Sequence, residues 1–79
     1  MRNNIRKGII MAKYGKLLYW SIEDDSWIAE VMELPGCIAD GSTQAEALEN
    51  LEIIIEEWLE TAQAEGMDIP KPLGRKAFA

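Results

Sequence analysis

TQAEALENLEIIIEEWLETAQAEG, residues 43–66, is the stretch whose reading decides the fold. Thr43 followed by Glu46 has capping-box spacing, in which each side chain satisfies an amide at the start of a helix. From there Ala47, Leu48, Leu51, Ile54, Ile55, Trp58 and Ala62 recur at helical intervals and share one face. Gly66 is placed to stop the helix. Upstream, Leu17-Leu18-Tyr19-Trp20-Ser21-Ile22 is rich in aromatic and branched residues and reads as a strand. Glu23-Asp24-Asp25-Ser26 is short and polar enough for a hairpin turn, although it lacks an Asn-Gly or Asp-Gly pair. Residues 27–33 read as the returning strand, with Trp27, Ala29 and Val31 on one side. Pro35-Gly36 ends it, because proline cannot continue a ladder and glycine permits a tight turn. Residues 37–40 form a short third strand closed by Gly41, and residues 67–72 are extended because Pro70 and Pro72 exclude helix. The order is strand, strand, strand, helix, extended tail. The three Trp fall on the predicted core faces, so packing accounts for them first.

The chain has 79 residues, one small domain that buries a modest fraction of its surface and commonly leans on oligomerisation or a partner. Residues 1–16 read as a basic N-terminal arm, 17–72 as the folded domain and 73–79 as a C-terminal tail. Charge divides along the same lines. All 14 carboxylates lie between Leu17 and Pro70, where there is no Lys or Arg; the 8 cations flank that span. A folded surface carrying acids alone repels itself, and a basic partner relieves that repulsion.

On the predicted helix the outward face holds Glu46, Glu49, Glu52, Glu56, Glu57 and Glu60, with Ile53 projecting among them. Pairs such as Glu52/Glu56 and Glu56/Glu60 are like charges one turn apart, each destabilising by roughly 0.2–0.5 kcal/mol. Glu56, Glu57, Glu60 and Glu65 also lie where the helix macrodipole prefers cations. A merely soluble face with one stray aliphatic would look similar. The absence of Lys and Arg across the whole body instead makes Glu49, Ile53, Glu56, Glu57 and Glu60 candidates for a partner-binding face.

The chemistry of catalysis finds few residues. There is no His, which removes the usual general base and the commonest metal ligand. Cys37 is the one cysteine, with no cation of the body to lower its pKa, so it is expected to be a half-buried structural thiol rather than a nucleophile. Glu23, Asp24, Asp25 and Asp40 sit at strand ends and turns, where a divalent metal for phosphodiester hydrolysis would be sought. Turns collect Asp for hydrogen-bonding reasons, and no ligand spacing is present, so no metal and no cofactor are expected. No Gly-rich phosphate loop exists. An acidic pI of about 4.5 argues against nucleic acid or anionic lipid as the main partner of the core, leaving weak contact by the basic ends. The apolar run near the N-terminus is too short for a signal peptide or a membrane span, and a lone cysteine fits a reducing cytoplasm.

Glu33-Leu34-Pro35-Gly36-Cys37, then Gly41-Ser42-Thr43 and Glu46-Ala47-Leu48, resemble the HicB antitoxin family. The likeness continues through Trp58-Leu59 and Gly66 to Ile69-Pro70-Lys71-Pro72, and so covers residues 17–72. The departures are Ser26, where a Gly is common in the hairpin turn, and Met32, where a Pro often precedes the acidic-Leu-Pro-Gly element. The resemblance implies an α+β, truncated RNase-H-like fold: a small three-stranded antiparallel sheet packed by one long helix, with a short extended C-terminal strand as an option. It also implies a binding module rather than an enzyme, one that neutralises a small basic RNA-cleaving toxin of the HicA type. The DNA-binding domain that full antitoxins of this kind add is not expected here. Two alternatives stand beside this reading. One is an orphan homo-oligomer, a dimer or higher, held by its sheet edges; the other is a metal-dependent nuclease on the same scaffold.

Overall fold

A computed structural model of the protein describes residues 13–74. It is an α+β fold in two layers. Strand β1 (Lys16–Ser21), strand β2 (Ser26–Val31) and strand β3 (Ile38–Gly41) form an antiparallel sheet in the order β1-β2-β3, and helix α1 (Gln44–Ala64) packs on one side of it. The expected β-β-β-α order and the long helix are both present. Residues 67–74 form no regular element, so the optional terminal strand does not form there.

The register explains the two faces of the sheet. Leu18 opposes Ala29, Trp20 opposes Trp27 and Ala39 opposes Ala29, so these side chains share the face beneath α1. Leu17, Tyr19, Ile28, Glu30, Ile38 and Asp40 share the other face. The helix lies over β2 and β3 rather than over β1. Its buried stripe is Ala47, Leu51, Ile55, Leu59 and Ala62, while Leu48, Ile54 and Trp58 flank it half-buried. Leu59 belongs to the core although the sequence pattern does not single it out. Leu34 and Cys37 complete the core from the loop after β2, so the thiol is fully buried rather than half-buried.

Local signals account for the ends of α1. Thr43 has extended backbone angles, and its Oγ1 accepts from the Glu46 amide at 3.0 Å. Glu46 reaches one residue beyond the usual box: its Oε1 accepts from the Ser42 amide at 2.7 Å. At the other end Gly66 takes φ +68°, its amide donates to Gln63 O, and the Met67 amide donates to Ala62 O at 2.8 Å. These two bonds make a Schellman stop, which needs the left-handed conformation that glycine adopts without strain. Gly41 is required for a different reason. A Cβ there would stand 2.5 Å from the Ala47 amide nitrogen, so β3 approaches the first turn of α1 by backbone contact.

The hairpin between β1 and β2 is the four-residue loop 22–25, one residue earlier than the sequence suggests. Ser21 Oγ donates to Asp24 Oδ2 at 3.0 Å and accepts from the Asp24 amide at 3.2 Å; Asp25 takes φ 53°. Such short polar side chains tolerate the turn that Asn-Gly would otherwise supply.

Tyr14 and Trp20 depart from the places the sequence suggests for them. Tyr14, read there as part of the basic arm, is 4% exposed and packs in the core, and its hydroxyl donates to Pro70 O at 2.6 Å. The remainder of the expected arm, residues 1–12, lies outside the described residues, as does 75–79 of the expected tail. Trp20 is 44% exposed, not core, although its ring meets Trp27 edge-on with centroids 5.5 Å apart.

Candidate functional site

Glu49, Ile53, Glu56, Glu57 and Glu60 are all exposed on α1, and the structure brings them together. At 100° per residue they fall within about a quarter of the helix circumference, a stripe about 16 Å long. It lies opposite the buried Leu51, Ile55 and Leu59 and so points away from the sheet. Ile53, at 57% exposure, is an apolar knob set within the acids. The last turn of α1 carries no basic residue, so Glu60 and the C-cap Glu65 add to the negative end of the macrodipole. Among the described residues the cations of the sequence are Lys13, Lys16 and Lys71, none of them on the helix. This face presents negative charge around one aliphatic contact, which suits a basic protein surface better than a small ligand.

The turn carboxylates are partly divided. Asp24 and Asp40 line one open depression of about 440 Å³ with Ser26, Ile28, Ile38 and Ala39, whereas Glu23 and Asp25 do not line it. Among the described residues no group of three or more His, Cys, Asp or Glu is arranged to hold a metal. Cys37 is buried, and that burial pushes its thiol above its ordinary pKa of 9.0, the opposite of what a nucleophile needs.

Glu33 has a role that no local pattern signals. It is 7% exposed, and its carboxylate accepts from the Gly15 amide at 2.9 Å and from the Leu73 amide at 3.0 Å. One acid of the motif is thereby withdrawn from the surface and joins the entry of β1 to the C-terminal segment. Tyr14 works beside it. Its phenol is raised above the usual 10.0, chiefly by burial and further by the negative charge of Glu33. On the open face of the sheet the Tyr19 hydroxyl donates to Glu30 Oε2 at 3.1 Å. That bond to a carboxylate, followed by burial and by the charges of Glu30 and Asp24, raises the Tyr19 phenol too.

The motif run at residues 33–48 therefore builds the scaffold: Glu33 joins the Gly15 and Leu73 backbones, Leu34 and Cys37 fill the core, and Thr43 and Glu46 start the helix. The same run lies within residues 5–70, which match the UPF0150-like family. The chain belongs to that family. The chain is similar to UPF0150 protein ssl0259 of Synechocystis sp., with 37% identity over 54 residues, 68% of this chain and 74% of that protein. No solved structure matches this UPF0150-like chain. Among its described residues no helix is long and apolar enough to cross a membrane.

Proposed function

We propose that this UPF0150-like protein is an acidic protein-binding module of the HicB antitoxin type, which docks a small basic RNA-cleaving protein of the HicA type on the outward face of α1. The observation that carries the proposal is the exposed Ile53 surrounded by Glu49, Glu56, Glu57 and Glu60 on a body whose sequence has no Lys or Arg from residue 17 to 70. A toxin that handles RNA must present cations where phosphates bind. A carboxylate stripe competes for those cations, and the aliphatic knob adds a desolvated anchor at its centre. The motif run at residues 33–48, with its HicB-like order, supports the same reading.

The test is whether an adjacent gene encodes a small basic protein and whether a complex with such a protein is recovered. Binding is expected in low salt and is expected to weaken as ionic strength rises, because rim charges are screened over about 8 Å at physiological salt. Failure to recover a basic partner in low salt overturns the proposal.

A further inference from the structure

We infer that β1 is the seam of a two-fold dimer, pairing antiparallel with β1 of a second copy to make one six-stranded sheet with both helices on the same side. The inference is independent of what the acidic helix binds.

The peptide groups point the right way. The Met32 amide donates to Gly15 O, and the Val31 amide donates to Cys37 O. With the register, this places Gly15, Leu17, Tyr19 and Ser21 as the residues of that strand line whose peptide groups face β2. Leu18 and Trp20 therefore aim theirs toward the outer edge of the sheet. The two edges are managed differently. β3 is short, lies under α1, and has its Asp40 carbonyl taken by Asn50 Nδ2 at 2.8 Å. β1 is longer, lacks the helix above it, and carries no proline, bulge or acid from residue 16 to 22. It carries exposed apolar side chains on both faces, Leu17 and Tyr19 on one and Trp20 on the other.

Charge selects the occupant. Residues 16–22 are an acid-free stretch in the acidic body, bounded by Lys13 and Lys16 on one side and by Glu23, Asp24 and Asp25 on the other. Two copies of a chain with net charge −6 repel over most of their surface. Antiparallel pairing about Leu18 or Tyr19 sets the lysine end of each strand beside the acidic hairpin of its partner, twice by symmetry. It also sets exposed Trp20 against the apolar edge of the second copy. This strand is complementary to itself.

The experiment is sedimentation equilibrium on the full chain, paired with cross-linking. A monomer–dimer equilibrium is expected. Trp20→Pro removes an N–H that faces the outer edge and so spares the intramolecular ladder; it is expected to raise the dimer dissociation constant about tenfold or more while the urea unfolding transition stays cooperative. Because a proline substitution can fail to fold, Tyr19→Cys is treated with a short bismaleimide, which is expected to link the copies; Glu52→Cys on the helix is expected to remain unlinked. Cys37 is buried and takes no part. A protein that stays monomeric throughout the concentration range overturns the inference. So does a dimer that links through Glu52→Cys and not through Tyr19→Cys.

Discussion

The Glu33 carboxylate accepts a hydrogen bond from the Leu73 amide at 3.0 Å, joining residues 40 apart in sequence. The same carboxylate holds the Gly15 amide, so a single buried acid ties the start of the sheet to the segment that follows α1. Removing it strands two backbone donors. Glu33→Ala is expected to lower stability by about 3 kcal/mol and Glu33→Gln by about half as much, since bonds to a charged acceptor contribute roughly 1.5–3 kcal/mol. Urea denaturation measures both. Faster amide exchange at Leu73 in the variants locates the effect.

Tyr14 secures the same junction through Pro70 O. Tyr14→Phe is expected to cost about 1 kcal/mol near neutral pH, the ordinary net worth of such a bond. Its dependence on pH follows from a folded-state pKa raised above 10.0 by burial and by Glu33. The unfolded chain then releases the phenolic proton first, so the contribution of Tyr14 is complete below pH 10 and is lost as pH rises through the folded value. The stability gap between wild type and Tyr14→Phe should therefore be widest at neutral pH and shrink in the alkaline limb. A gap that widens there contradicts the assignment.

Gly41 is expected to tolerate no side chain. Gly41→Ala drives a Cβ to within 2.5 Å of the Ala47 amide nitrogen, and backbone on both sides has to move. A loss of at least about 1–3 kcal/mol is expected, the range for overpacking, read as a lower urea midpoint.

Cys37 is expected to resist alkylation in the folded protein at pH 8 and to react fully in urea. Burial both shields the sulfur and raises its pKa, so thiolate is scarce. Rapid labelling of the native protein would mean that the loop 32–37 opens often.

Where residues act on near neighbours, the chain is readable. Thr43 and Glu46 mark the helix start, Gly66 its stop and Pro35-Gly36 the turn between β2 and β3, each through chemistry within a few positions, although β2 itself stops earlier, at Val31. Strand ends fall within one or two residues of the expected places. The features that escape a sequence reading are long-range. Nothing near Glu33 or Tyr14 announces bonds to Leu73 and Pro70, and Trp20 has the alternation of a core residue but sits beyond the reach of α1. Leu59 escapes because the apolar periodicity favours Trp58, whose indole nitrogen donates to Pro35 O at 3.1 Å from the edge of the core. The acids of the candidate face are legible as a group, because a missing sign of charge is visible in sequence alone.

The proposed docking of a basic RNA-handling protein on the outward face of α1 can be tested on that face directly. The most direct measurement is isothermal titration of a purified small basic RNA-cleaving protein of the HicA type into wild type and into the variant Ile53→Ala/Glu56→Lys/Glu57→Lys, which alters exposed residues alone. Binding to wild type and a loss of at least about tenfold in the variant, with the fold intact, is the predicted result. Equal affinity for the two proteins, or no binding to either, contradicts it.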